Sequence, residues 1–336
     1  MDDSQNGGLA LPMEADATAT KPPRPMLRRF GFALLKGLIS LAIIGFLASR
    51  IDVAEVGSRL AHIALWSLVL ALALAACQVT SLTMAWRLIL ERLGAALPVG
   101  TVFKASIISL FFNQVLPASL GGLGARTYFA YRAETGLAIA TTSVVLERVA
   151  HFLTFLFVVI LTQPLLFARV GQTVGSLTLL LTGGALLSGV VLMILGEWIV
   201  QLIPLKGSRI LGSLERFSAG ARTVFLWRAG ILRLLAWSLL WHVFSFGILF
   251  VLARGLAIGI NPLDFLAVLP PALLVGILPI SINGWGVREA AMVGFLSLID
   301  VAAADALALS VGFGIVTLLS RLPGAAVWLL DRDVRK

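Results

Sequence analysis

Charge is scarce in this chain: Asp, Glu, Lys and Arg together supply 13% of its 336 residues, about half the share usual in a soluble domain. Cysteine is nearly absent, and the single copy, Cys77, excludes an intrachain disulfide. The three histidines, His62, His151 and His242, lie far apart and form no Cys/His cluster with zinc spacing, so neither a metal nor another cofactor is expected. No GxxxxGK[ST] loop and no GxSxG elbow occurs, which removes the usual marks of nucleotide-driven pumping and of serine hydrolysis. The formal net charge is +9, but the basic residues are dispersed at the edges of apolar runs without a recognisable binding module, which argues against a nucleic-acid partner.

What replaces charge is apolar surface. Hydrophobic residues make up 59% of the chain, with a mean hydropathy of +0.99. Runs near 30–49, 64–86, 138–163, 174–200, 231–253 and 303–330 reach the roughly 20 residues that a helix needs to cross a hydrocarbon core. They are continuous rather than alternating, which argues against a membrane barrel, and a helix satisfies every backbone amide inside such a run. The sequence therefore predicts an all-α fold, a polytopic transmembrane helical bundle of about six to eight spans.

Residues 1–27 open with the small, polar, acidic stretch "MDDSQNGGLALPMEADATAT" followed by the basic "KPPRPMLRR", and read as a disordered cytoplasmic tail ahead of a single transmembrane domain over 28–333. A cleaved signal peptide is the alternative, but the first apolar run is longer than a typical signal core. From Lys206 to Arg233 six basic residues (Lys206, Arg209, Arg216, Arg222, Arg228, Arg233) face one acid, Glu215. The positive-inside rule makes this connection, about 204–230, cytoplasmic. Topology alone explains it; attraction of anionic head groups, worth about 1 kcal/mol per basic residue, is compatible with the same charges.

Counting spans outward from that loop places both termini on the cytoplasmic side of an inner membrane of bacterial type. Residues 99–118 then begin and end on the same side, which predicts a re-entrant segment turned at Asn113 to Pro117, and 262–282 does likewise from the opposite side. If every apolar segment crosses fully, the count rises to about eight and the inversion is lost.

The two turns carry nearly one motif. "LPASLGGLGAR" at 116–126 and "LPISINGWGVR" at 278–288 share Leu, Pro, Ser, Gly, Gly and Arg at a constant offset of 162 positions, and Phe103 and Phe265 obey the same offset. The pattern predicts an internal duplication with repeats at about 99–167 and 261–330. Proline breaks the helix, serine rebinds freed backbone groups, and glycine permits conformations and close approaches closed to other residues. Paired interrupted segments in corresponding halves point to a transporter's central site. Candidate substrate-binding residues are Asn113, Pro117, Ser119, Gly122, Gly124 and Arg126 in the first, and Pro279, Ser281, Asn283, Gly284, Gly286 and Arg288 in the second. Either arginine can hold a phosphate with two parallel hydrogen bonds; the plainer reading is a tight turn with arginine snorkelling to the interface.

With the stretch from "FFNQVLPASLGGLGARTYFAYRAETGLAIATTSVVLERVAHFL", the segment "ILPISINGWGVREAAMVGFLSLIDVAAADALALS" and "LLSRLPG", the chain resembles the lysylphosphatidylglycerol synthase transmembrane-region family of flippase-like membrane proteins over roughly 30–330. In two-domain members the resemblance implies a membrane part that flips aminoacylated phosphatidylglycerol and a soluble C-terminal domain that makes it from aminoacyl-tRNA. This chain stops at Lys336, six residues after the last span, so the synthetic domain is expected to be missing and a transferase activity is not expected. Stand-alone members resemble translocators of lipids or glycolipids. One departure is that His151 stands four residues after Glu147, where a polar or acidic residue often follows the family's Glu-Arg step.

Glu147 and Arg148 lie within an apolar run, where a charge costs about 2.5–3.5 kcal/mol, so both are expected to be paired or to face a cavity. Glu147 and His151 share a helix face and suit proton exchange or a structural pair. Glu289, next to Arg288, is expected to line the site, while Asp300 and Asp305 mark a kinked connection. Tyr128 and Tyr131 read as interfacial anchors or a head-group platform. Trp66, Trp86, Trp198, Trp227, Trp237 and Trp328 read as belt residues, and Ser81, Thr83, Arg87, Gly183 and Gly184 as helix-packing positions.

The expected function is a lipid translocator, flippase-like, whose partner is a membrane lipid with an anionic head group. A membrane enzyme using Glu147 or Glu289 as a base, and a scaffold for enzymes of lipid or envelope biosynthesis, are the alternatives.

Overall fold

The computed structural model describes residues 26–115, 120–201, 209–226, 230–278, 280–281 and 283–331. Pro117, Ser119, Pro279, Lys206, Arg228 and the tail 1–25 lie outside them. Among the described residues every regular element is helical. The chain is a multi-pass helical membrane protein. Five stretches are long and apolar enough to cross a membrane: α3 (Leu65–Arg92), α6 (Leu137–Leu161), α8 (Gln172–Gln201), α10 (Ile231–Gly255), and α13 (Ala303–Arg321) continued by α14 (Pro323–Leu330). A sixth arises if α1 (Met26–Arg50) and α2 (Val53–Ala61), which meet at 90°, act as one. The Asp52 side chain stops that bend from fraying by accepting the Ala54 amide at 2.8 Å.

Two apolar helices are too short. α4 (Val99–Val115) has 17 residues and α11 (Pro262–Ile277) has 16, against the roughly 20 that a span requires. Each packs against the short helix that follows, α4 on α5 (Leu120–Ala130) and α11 on α12 (Val287–Ser297). The result is two helical hairpins, and the described part of each sequence motif leads into the second helix of its hairpin. Asn261 starts α11 by accepting the Leu263 amide at 2.9 Å, with Pro262 at the first helical position, where its missing amide costs nothing.

With α7 (Gln163–Val170) and α9 (Arg209–Phe225) included, a displacement of 162 positions brings the ranges of α2–α7 onto those of α9–α14. Packing across these sets is reciprocal: α14 lies on α4, and α7 lies on α11. Lys104 of α4 pairs with Asp331 at the end of α14, while Arg169 of α7 pairs with Asp264 of α11 at 2.6 Å. The same clamp is thus made twice with the charges exchanged. At Gly324 a Cβ would lie 2.4 Å from the Ile107 carbonyl oxygen, so glycine is what lets α14 reach α4.

The central pair is α3 and α10, which pack along their length through Ala71, Ala75, Ile248, Leu249 and Leu252. Gly255 approaches Ser67 too closely for any side chain, as expected where small residues let helices approach. By contrast α8 exposes Leu180, Leu181 and Leu187, and Gly183 and Gly184 have nothing within 4 Å of a built Cβ, so they do not serve the packing expected of them. Trp86 is not a belt residue. It is fully buried and donates its indole N–H to Ser143 Oγ at 3.0 Å, whereas Trp66 is exposed as a belt residue should be. The side chains of Trp198 and Trp227 lie outside the described residues.

Candidate functional site

The two hairpins meet at a cavity of about 480 Å³ with charged side chains in its wall, and at a neighbouring one of about 280 Å³. The cavities share Gln114, Phe155, Trp241, His242, Asn283 and Arg321 in their walls. Arg126 lines the larger and Arg288 the smaller. The tips are tied directly, because the Asn283 side-chain amide donates to the Gln114 carbonyl at 3.1 Å.

Each motif arginine has a carboxylate partner and an aromatic face, supplied differently. Arg126, 3% exposed, donates from Nη1 to Glu147 Oε2 at 2.7 Å, and its guanidinium sits 5.4 Å from the centre of the Trp86 ring. Arg288 donates to Glu289 Oε1 from Nη2 at 2.5 Å and from Nε at 3.0 Å, and lies 4.9 Å from the Trp285 ring and 5.6 Å from Phe313. Low dielectric strengthens both pairs, and the stacking suits the weakly hydrated guanidinium plane.

The remaining predicted residues divide by role. Asn113 Oδ1 accepts the Gly122 amide at 3.0 Å, and a Cβ on Gly122 would fall 2.4 Å from the Asn113 side chain; that glycine is required for the cap. Gly124 has open space around it. Glu147 and Arg148 both line the larger cavity. Ser281 and Asn283 line it too, and Ser281 Oγ and Asn283 Oδ1 are buried without a hydrogen-bond partner, as are Arg126 Nε and both ring nitrogens of His151. Gly286 has φ 86° and packs on the Ser40 carbonyl. Glu289 is 3% exposed and lines neither cavity. It sits behind Arg288 because Oε2 accepts the Gly286 amide at 2.6 Å, which closes the first turn of α12.

Gly284 has φ 80°, and a Cβ added to it would fall 2.7 Å from the Gly276 carbonyl oxygen. Gly284→Ala will therefore cost about 1–3 kcal/mol through left-handed strain and steric displacement, whereas Gly124→Ala will stay within about 0.5 kcal/mol of the parent. Thermal unfolding in mild detergent measures both; equal melting would mean that the second tip has no defined backbone.

Sequence reasoning passed over Arg321, Lys36, Gln114, Trp241 and His242, all of which line the larger cavity. Arg321 carried the legible signal, an arginine within the last apolar run ahead of Pro323. No acid among the described residues pairs with it. Cationic lining therefore exceeds anionic: Lys36, Arg126, Arg148 and Arg321 against Glu147.

Fold and site together define a multi-pass helical membrane protein with a chamber, lined by both charged and apolar side chains, between two hairpins. The chain belongs to the family described as the lysylphosphatidylglycerol synthase TM region, whose model matches residues 33–324. No curated protein matches the chain.

Proposed function

We propose that the protein moves a lipid with an anionic head group between the leaflets of a bacterial-type inner membrane. The observation that carries this reading is the chamber itself: a polar, net cationic space inside an apolar bundle, walled by both interrupted motifs. Broken backbone at membrane depth is tolerated where it lines such a space. The head group occupies the chamber, and the acyl chains remain in the bilayer.

The recurring helix order, the constant offset and the exchanged clamps support a duplication of α1–α7 into α8–α14. Each half then has three crossings (α1, α3, α6 and α8, α10, α13) and one re-entrant hairpin. An odd number of crossings inverts the second half, so the hairpins enter from opposite sides and alternate access follows from rocking one half against the other. Both termini lie on the cytoplasmic side in this arrangement.

Reconstituted vesicles holding a panel of fluorescent lipids, followed with an impermeant quencher, test the reading. Wild-type protein will accelerate exchange of an anionic lipid class. The Arg126→Lys/Arg288→Lys variant keeps charge but loses the planar fork, and will slow exchange at least about tenfold, while Arg126→Ala/Arg288→Ala abolishes it. Normal exchange by correctly inserted double variants would remove the arginines from the mechanism. Mass spectrometry of the recovered lipid separates transport from lipid chemistry, since only an enzyme yields a product of new mass. Translocation is favoured because Glu147 and Glu289 are both engaged by arginine rather than presented as bases.

A further inference from the structure

The first half of the chamber holds a titratable cluster that the second half lacks. His151 stands where the 162-residue offset places Phe313, and Glu147 where it places Leu309. Phe313, which has no ionisable group of its own, packs on Arg288, so a histidine is not what this position of the fold requires.

His151 is built into the chamber wall on α6, its side chain 12% exposed. Its Nδ1 lies 3.4 Å from Glu147 Oε1, while the other oxygen of that carboxylate receives Arg126 at 2.7 Å. Its two ring nitrogens have no hydrogen-bond partner. The neighbouring His242 on α10 donates from Nε2 to the His151 main-chain carbonyl at 2.9 Å and fixes that turn of the helix. The charged groups that share the chamber wall with His151 are Glu147 and Arg148 on its own helix, Arg126 from α5, Lys36 from α1 and Arg321 from α13, with His242 as the other titratable neighbour.

We propose that His151 is a proton site that couples head-group binding to proton uptake. The inference rests on the translocator reading and adds its energy source, a proton gradient. With His151 neutral, Glu147 compensates Arg126. A proton taken from water in the chamber onto the imidazole creates a cation beside Glu147, which competes with Arg126 for the carboxylate and leaves the guanidinium available to a phosphate. The charges balance: one proton and one monoanionic head group enter together, and the chamber's net charge is unchanged. Linkage makes the effect reciprocal, since an anion held at Arg126 also stabilises the imidazolium 3.4 Å from its carboxylate. Histidine suits this role because its unperturbed side chain is the one that changes charge near neutral pH, and intramembrane Glu/His chains serve as proton relays in transporters.

Short-chain phosphatidylglycerol, titrated onto the full-length protein in detergent between pH 5.5 and 8.5, tests the coupling without requiring transport. Wild-type affinity will fall about tenfold across this range, in line with ordinary coupling energies, and binding in weakly buffered solution will take up protons. His151→Gln will bind at the weak, high-pH level throughout, and His151→Arg, permanently charged, will lose the pH dependence while remaining folded. A flat wild-type profile, a pH dependence retained in His151→Gln, or no binding of the probe at either pH overturns the proposal. In vesicles, exchange driven by an imposed pH gradient and lost in His151→Gln is the expected companion result. Exchange indifferent to the gradient overturns the coupling and leaves the translocator reading intact. Proton-linked binding without any exchange removes the translocator reading and leaves His151 as a proton-linked binding residue.

Discussion

Glu147→Ala will destabilise the protein by about 3–5 kcal/mol, because it strands a guanidinium that has been taken out of water. Arg126 is 3% exposed and Glu147 2%, and the chamber already carries more cations than anions. Removing the carboxylate leaves Arg126 close to Arg148 without the acid that it is paired with. The loss therefore exceeds that of an exposed pair such as Arg59 with Glu55, whose contribution stays below about 1 kcal/mol. The pair is not itself a large net source of stability, so the double variant Arg126→Met/Glu147→Leu will recover most of what the single change loses. Chemical unfolding in mild detergent measures all three chains. A single variant as stable as the parent would mean that Arg126 has a second counter-charge.

The other large effect belongs to Trp86, whose ring is fully buried beneath Arg126 and tied to Ser143 on α6. Trp86→Ala opens a cavity among Leu90, Val102 and Val144 and will cost about 3–5 kcal/mol. Trp86→Phe keeps an aromatic face for the cation and gives up chiefly the hydrogen bond, a loss of about 1 kcal/mol. The same pair of variants also separates stability from function. If Arg126 needs the ring as a platform, Trp86→Phe will leave lipid exchange near the parent rate, while Trp86→Ala will slow it even at a temperature where the variant is folded. Equal exchange by both would reduce Trp86 to a packing residue.

Much of the architecture was legible along the chain. The six apolar runs correspond to α1, α3, α6, α8, α10 and α13 with α14, with ends displaced by a few residues. The two motifs fall where α4 gives way to α5 and α11 to α12, and α4 and α11 are shorter than a span requires. The site was legible in part. Arg126, Arg288, Asn283 and Glu147 attracted notice because polar groups in apolar surroundings are costly and need a reason. Glu289 was expected in the wall but serves behind it, since adjacency in sequence does not reveal that its second oxygen closes a helix terminus. Gly183 and Gly184 looked like a packing surface, yet α8 turns them away from the bundle.

Composition by itself determined that this is a helical membrane protein, because an apolar run must satisfy its own amides wherever it sits, and that is a local requirement. The repeated LPxSxxGxGxR pattern likewise determined where the helices break, since proline and glycine act on their own backbone. Partnership was decided by tertiary structure alone. That Arg126 takes its carboxylate from α6 while Arg288 takes one from its own helix, that Trp86 lies under a cation, and that Arg321 joins the chamber from the last span all depend on which helix faces meet. Helix contacts in a bilayer are set by close packing of side chains rather than by hydrophobicity, so the apolar runs alone do not say which faces meet.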